Sequence, residues 1–397
     1  MRLIQSMEVH DEAQVGTVRR AVHSFARGVG FTERELAELD IVVQEIGTNA
    51  VRYADGGGWI HFTSPLGAEP GIEIFYSDKG PGISDLERAI RDGVSSGGGL
   101  GAGLGAIQRL MDEFEVYSTV KPAKIARSSR HATPSPPSPS SLSSPLPPRP
   151  SRSSSASLSS ASSSAPSRAA PAAASGHASR RTTHGTALLG RKWIAAARLS
   201  PERHAATARR IGVWSRPHPG ETDNGDAYFV RRRSGQQLLA VVDGLGHGAG
   251  AREAADAALE ILSAWQGEPL EDVFRRAHER LRPTRGAVMG ACVLDARAQK
   301  FHFAGVGNVE VRVVGSPAPV RPVSANGTLG SRLGAVRVFS YDWSEGATVL
   351  LASDGLSATW DIEDYPGLLA KSPQMIAGVL ARDYSRETDD ATVLVAR

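Results

Sequence analysis

The chain has 397 residues, 41% hydrophobic and 22% charged, so it can fill globular cores, and its length suits two or three domains of ordinary size. Its formal charge of +3 is unevenly spread: residues 121–180 hold eight basic and no acidic side chains, leaving 37 basic against 42 acidic residues elsewhere. That balance argues against a basic nucleic-acid-binding fold, the single Cys292 excludes a disulfide framework or a Cys-rich zinc site, and no apolar run of about 18 residues predicts a membrane span.

In chain order, the opening MRLIQSMEVHDEAQ lacks a basic-then-apolar signal pattern, so the expected location is the cytoplasm. Residues 34–52 carry Leu36, Leu39, Val42, Val43 and Ile46 at helical spacing. Residues 58–63 and 71–77 read as strands, the second alternating apolar and polar. Residues 103–114 read as a helix entered through a glycine-rich loop, followed by a strand over 115–119.

Residues 121–180 contain 21 Ser, 11 Pro and 12 Ala. So few large apolar side chains cannot offset the ordering entropy, and the segment is expected to be disordered. A passive spacer is the plain interpretation; a basic interaction tail or a phosphorylated regulatory loop are the others. The strand-like GTALLGRKW at 185–193 is a good hairpin partner for 115–119. The low-complexity stretch would then be a hairpin-loop insertion, at a closure cost that grows only logarithmically with length. From about 200 onward, strands (LLAVVD, GAVMGACVLD, KFHFAGVG, EVRVV, TVLLASD, ATVLVAR) alternate with helical runs (REAADAALEILSAW, LEDVFRRAHERL, SPQMIAGVLARDY), predicting a second α/β or α+β domain. Cys292, among apolar residues, reads as a small buried hydrophobe.

Three motifs in 45–105 carry chemistry together. Glu45 and Asn49 share one helix face, where a carboxylate can serve as a base and an amide oxygen can ligate Mg²⁺, or where both are simply solvated. Asp78 follows a strand in SDKGPG, where Gly80 and Gly82 let backbone approach a flat base; a tight turn is the alternative. Gly97, Gly98, Gly99, Gly101, Gly103 and Gly105 lead into a helix, as a phosphate cradle does. Order and spacing resemble the GHKL superfamily of histidine-kinase/Hsp90-like ATPases, and within it the RsbT/RsbW-like serine kinases of bacterial sigma-factor regulation. The likeness covers about 1–120 plus 183–196, with Gly185, Thr186, Lys192 and Trp193 as its terminal signature. It implies that Asn49 ligates Mg²⁺, Glu45 is the general base, Asp78 holds adenine, and Gly80, Gly82 and Gly97–Gly105 form loops for ATP. Residue 44 is Gln, so no phospho-accepting His motif precedes Glu45 and a histidine autokinase is not expected.

The second half places aspartates at four strand ends or turns: Asp226, Asp243 (VVDGLGHG), Asp354 (SDG) and the Asp389–Asp390 pair. Converging carboxylates repel unless cations neutralise them, and hard oxygen ligands favour Mg²⁺ or Mn²⁺. Two such ions can activate a water and clamp a phosphoryl group in line. VVDGLGHG, FAGVGN, LLASDGL and DDATVLV resemble PPM-type serine/threonine phosphatases of the SpoIIE- and RsbX-like branch, over about 200–397. The resemblance implies that Asp226 and Asp243 bridge two metals, that the Gly244 carbonyl adds a ligand, and that Asp354 with Asp389 or Asp390 completes the site. It leaves His247 either acting on the leaving group or serving the turn, and gives Gly305, Gly307 and Asn308 to a tight turn.

The expected fold class is α+β in two domains: a GHKL (Bergerat-type) α/β sandwich over 1–196, with the 121–182 insert, then a PPM-type β-sandwich flanked by helices over 200–397. The expected function is a bifunctional switch that phosphorylates Ser or Thr on a STAS-domain regulatory protein and hydrolyses such phosphates. A sigma-factor regulatory complex is the expected setting; nucleic acid and membrane are not expected partners. Two rivals stand beside it: an ATP-dependent module that sequesters its partner without phosphoryl transfer, and a phosphatase whose ATP site is a sensor. Limited proteolysis should cut first within 130–175; a segment as resistant as the flanking sequence would refute the expected disorder.

Overall fold

The computed structural model describes residues 4–66, 70–91, 103–120, 184–195, 210–316, 318–344 and 346–397. The 121–182 segment and Gly97, Gly98, Gly99 and Gly101 lie outside the described residues. After strand β1 (Gln5–Val9), helix α1 (Glu12–Val29) is capped by the Asp11 side chain and ends at Gly30, and it buries Val15, Val18, Val22 and Ala26 on one face. Helix α2 (Glu33–Tyr53) starts from a Thr32–Glu35 capping box. Strands β2 (Gly58–Thr63) and β3 (Gly71–Asp78), short helix α3 (Leu86–Ile90), helix α4 (Gly103–Leu110), and strands β4 (Glu113–Thr119) and β5 (Gly185–Trp193) follow. Helix α4 stops earlier than the expected 114, and Glu113 and Phe114 are already in the strand opposite Arg191 and Gly190. Pairing of Glu113 and Phe114 with β5 outweighs a helical pattern that Asp112 supports only weakly.

The five strands run β1-β2-β3-β5-β4, and β4 pairs antiparallel with β5 from Glu113↔Arg191 to Thr119↔Gly185. Ile60, Phe62, Ile72, Ile74 and Leu188 face α1, α2 and α4 in one core. The alternation in β3 suggests a half-exposed strand, yet all eight of its residues are buried. On its second face Glu73 accepts from Arg191 at 2.6 Å, and Arg191 also reaches Glu113 at 2.9 Å.

The second half is a sandwich. Its strands are β6 (Ile211–Arg216), β7 (Asp226–Arg233), β8 (Gln236–Gly244), β9 (Ala287–Asp295), β10 (Lys300–Val306), β11 (Glu310–Val314), β12 (Gly327–Thr328), β13 (Arg332–Leu333), β14 (Phe339–Asp342), β15 (Thr348–Ala352) and β16 (Ala391–Ala396). One sheet is β14-β10-β9-β8-β7 and the other β11-β15-β16-β6; Leu239, Val241, Cys292, Phe303, Leu351 and Leu394 fill the space between them. Helices α5 (Ala249–Ser263) and α6 (Leu270–Leu281) cover the outer face of the first sheet, where Ala254, Ala255 and Ala258 let α5 lie close.

Helix α7 (Pro373–Tyr384) covers the outer face of the second sheet and is buried from Pro373 to Ala381. Its other side meets the N-terminal sheet: Met375, Ile376, Val379 and Leu380 share one core with Phe75, Tyr117 and Leu189. A Cβ on Gly378 would lie 2.2 Å from the Phe75 ring, so the helix sits flush on β3. Polar contacts flank this seam. Glu115 accepts from the Ser372 amide at 2.9 Å, Arg382 donates to the Asp78 carbonyl at 3.3 Å, and His61 meets the Trp214 ring edge-on at 4.0 Å. Burial holds His61 neutral, its pKa down at about 3.

Gly378→Leu should overpack this seam, at a cost of about 1–3 kcal/mol. Denaturant unfolding followed by tryptophan fluorescence is expected to show a lower midpoint, with the halves no longer unfolding together. A single transition at the wild-type midpoint would count against a shared core.

Candidate functional site

Strand geometry brings the later aspartates to one end of the sandwich. Asp226 opens β7 and stands directly opposite Asp243 near the end of β8. Strand β15 ends just before Asp354, and β16 begins just after Asp390, with Ala352 opposite Val393. Gly355 is required here by close approach, since a Cβ on it would lie 1.7 Å from the Asp390 carbonyl oxygen.

A hydrogen-bonded frame holds the cluster. Ser353 Oγ donates to Asp226 Oδ2 at 2.6 Å and accepts from the Thr392 amide at 2.9 Å. The Asp226 amide donates to Asn224 Oδ1 at 3.0 Å, and Asn224 Nδ2 donates to Ser215 Oγ at 2.9 Å. Asn308 Nδ2 donates to Asp354 Oδ2 at 2.6 Å, so Asn308 does more than shape its turn. Asp390 Oδ1 accepts from the His218 amide at 2.8 Å, while Asp390 Oδ2 is buried with no hydrogen-bond partner. Asp389 caps the Asp390 amide at 3.0 Å. His247 is exposed, bonds Glu221 at 3.0 Å and stacks on His218 at 4.6 Å, outside the buried cluster. Nothing in 215–224 or at Ser353 and Thr392 marks these framing residues by local pattern; only the strand pairing brings them together.

Electrostatics give the cluster its character. Burial, reinforced by Asp390 and Asp389, pushes Asp226 up to about 8 against the hydrogen bonds from Ser353 and Thr392. Burial, then the charges of Asp226 and Asp354, pushes Asp243 up to about 9. Asp389 and Asp390 are raised as well, again chiefly by burial. Such a set cannot ionise together without added positive charge. Among the described residues, no three His, Cys, Asp or Glu side chains gather closely enough to hold an ion by themselves. The all-oxygen donors, the orphaned Asp390 Oδ2 and the facing Asp226–Asp243 pair fit Mg²⁺ or Mn²⁺, since Mg²⁺ takes one or two carboxylates and keeps several waters.

The first site is built on α2 and the end of β3. Glu45 and Asn49 lie half-buried on α2, while Leu39, Val42, Val43, Ile46 and Ala50 anchor it in the core. The last turn of this helix meets the loop after β3: a Cβ on Gly80 would lie 3.0 Å from Ala54 Cα. Asp78 is buried, and its Oδ1 accepts from the Gly80 amide at 2.7 Å and the Thr186 amide at 3.2 Å. Thr186 is thus tied to Asp78 across 108 residues of chain. Gly82 sits at φ +77 against the Thr119 carbonyl, a conformation and approach that only glycine tolerates. Gly103 and Gly105 open α4, whose Leu104 and Ile107 are buried.

Residues 9–125 match the histidine kinase-like ATPase domain family. Over 113 residues, 28% of this chain and 84% of the relative, the sequence is 34% identical to the serine/threonine-protein kinase RsbT of Bacillus subtilis (strain 168). Over 182 residues, 45% of this chain and 89% of the relative, it is 24% identical to the phosphoserine phosphatase RsbX of the same organism. A crystal structure of RsbX in complex with magnesium has 24% identity and a TM-score of 0.42, covering 47% of this chain and 94% of that one. The chain belongs to the histidine kinase-like ATPase family through its RsbT-like N-terminal half. The chain joins that half to an α+β domain whose sequence is similar to RsbX. No helix among the described residues is long and apolar enough to cross a membrane.

The raised carboxyls carry a pH signature. Their folded-state pKa values lie above the unfolded ones, so in the metal-free chain their favourable contribution is complete near pH 4. It is then lost as pH rises through about 8 and 9, with a limiting slope of about 1.4 kcal/mol per pH unit for each group. Thermal unfolding in EDTA should show a Tm that falls from pH 6 to pH 9. Mn²⁺ should remove most of that fall, and Asp226→Asn should flatten it without metal. A pH-independent Tm in EDTA would contradict the clustering.

Proposed function

We propose that the chain is a bifunctional regulator in a partner-switching pathway of the stressosome type. The N-terminal unit, 1–196, transfers phosphate from ATP to Ser or Thr of a STAS-type regulatory protein, and the C-terminal unit, 200–397, hydrolyses phosphoserine or phosphothreonine. What carries the reading is the facing of Asp226 and Asp243 across β7 and β8, with Asp390 and Asp389 adding to the same electrostatic cluster. The likeness to RsbT and RsbX supplies the opposed activities.

In the phosphatase half, Asp226, Asp243, the Gly244 carbonyl, Asp354 and Asp389 or Asp390 would hold two Mn²⁺ or Mg²⁺. Once bound, these ions would supply an activated water and Lewis-acid stabilisation of the phosphoryl oxygens. The protein's own part is positional: Ser353 and Thr392 hold Asp226, and Asn308 holds Asp354. In the kinase half, Asp78 would accept from the exocyclic amine of adenine, its carboxylate fixed by the Gly80 and Thr186 amides. Asn49 would ligate Mg²⁺, Glu45 would take the proton of the attacking hydroxyl, and Gly97–Gly105 would cradle the phosphates.

One contact favours a second reading, in which the ATP site is a sensor for the phosphatase. Arg382 of α7 donates to the Asp78 carbonyl, and the same helix end meets the aspartate loops, with the Ser357 amide donating to the Tyr384 carbonyl at 2.9 Å and the Arg386 amide to the Gly355 carbonyl at 2.8 Å.

Purified protein with labelled ATP, candidate STAS proteins and Mn²⁺ tests both readings. Asn49→Ala and Asp78→Asn should abolish ATP binding. Glu45→Gln should spare binding but reduce transfer at least a hundredfold, and Asp243→Asn should leave transfer intact while stopping dephosphorylation. ATP binding without any transfer, together with ATP-dependent phosphatase rates, would replace the kinase reading by the sensor.

A further inference from the structure

The far end of the sandwich has an opposite chemistry. The aspartates cluster where β7 begins; β7 has eight residues, so its other end lies about 25 Å away at 3.3 Å per residue. There a cavity of about 490 Å³ is lined by Arg210, Arg232, Arg233 and Arg397, together with Gln237 and Trp343. The four arginines come from three places, Arg210 ahead of β6, Arg232 and Arg233 at the end of β7 and Arg397 after β16, and the Arg397 amide bonds the Arg210 carbonyl at 2.9 Å.

None of the four has a carboxylate partner among the described residues. Arg232 Nε donates to Gln237 Oε1 at 3.2 Å, and Arg397 donates to Thr348 Oγ1 at 3.3 Å and to the Leu369 carbonyl. These acceptors are neutral, so among the described residues no acidic side chain bonds to the four guanidinium groups. Gln237 Nε2 is buried without an acceptor, a second donor lacking its partner. Burial and the charge of Arg210 both disfavour the Arg232 cation. Asp295, between the cavity-lining Leu294 and Ala296, is engaged by Gln236 Nε2 at 2.8 Å and by the Arg297 and Ala298 amides rather than by one of these arginines.

We propose that this cavity binds a small oligophosphate anion, inorganic or carried on a nucleoside, at a site separate from the ATP loops and from the aspartate cluster. Guanidinium forks match phosphate oxygens two at a time, and several of them suit a ligand with three or more negative charges. The volume falls within the range of small-molecule sites. Trp343, half-buried on the cavity wall, offers a flat surface to a ring if the ligand carries one.

Titration calorimetry on the full chain in EDTA, with sodium tripolyphosphate as the probe, tests the site while metal-dependent binding elsewhere is suppressed. One equivalent should bind, weakening at least tenfold between 50 and 200 mM salt, as a charge-based site requires. Arg233→Glu and Arg210→Glu, both exposed positions, should each weaken binding at least tenfold while phosphatase turnover of a small aryl phosphate stays at the wild-type rate. Asn49→Ala should leave tripolyphosphate binding unchanged. The same titration with a nucleoside triphosphate separates the sources: equal affinity indicates the inorganic anion, whereas tighter binding lost in Trp343→Ala indicates the nucleoside form. Binding that survives both charge reversals, or that disappears in Asn49→Ala, overturns the site. Loss of Mg²⁺–ATP binding from the wild type would instead count against the kinase reading, which this titration does not touch.

Discussion

Helix α7 is buried on both sides, and the arrangement of the two halves depends on that burial. A helix with an apolar face all round must be covered all round. The sandwich covers one side and the second face of the N-terminal sheet the other, through Phe75, Tyr117 and Leu189. Neither half then has a solvent-facing sheet at the seam, and β3 and β5 are buried along their whole length. The missing side chain of Gly378 lets backbone meet the Phe75 ring, so the contact is tight rather than greasy and loose. Its ends are polar: Ser372 bonds Glu115 and Arg382 bonds the Asp78 carbonyl.

The same helix leads directly into chemistry. Its C-terminal end bonds the loop that carries Asp354 and Gly355, while Arg382 holds the backbone of Asp78. The two candidate sites thus share a rigid element, although their side chains do unlike work. At the aspartate end, burial first and then the charges of neighbouring carboxylates raise Asp226 and Asp243, and cations are the natural remedy. At the nucleotide end, Asp78 is satisfied by two amides, which fix its direction and leave acceptor capacity. Under the proposed function, joining a transferase to a hydrolase that removes its product would raise the effective concentration of each near a shared target.

Much of the fold is legible in the order of the amino acids. The spacing of Leu36, Leu39, Val42, Val43 and Ile46 marks α2 within a residue of its observed ends, and β2, β3, β5 and α6 fall close to their expected places. Helix α1 is absent from the expected elements, although the Asp11 cap, the valines at 15, 18 and 22 and the closing Gly30 all mark it. The expected helix runs past the end of α4 because an apolar pattern continues through Met111 and Phe114, and only pairing with β5 converts Glu113 and Phe114 to strand.

The chemistry-bearing residues stand in local motifs, Asp78 with its glycines and Asp243, Asp354 and Asp389–Asp390 at strand ends, so the sequence alone determined which groups were available and in what order. Local spacing carries that information because turns and helix faces span only a few residues. Only the tertiary structure decided that Ser353 and Thr392 hold Asp226, that Asn308 reaches Asp354, and that β3 has no wet face. Those facts rest on strand registers and helix packing between residues tens to hundreds of positions apart, which no local period encodes.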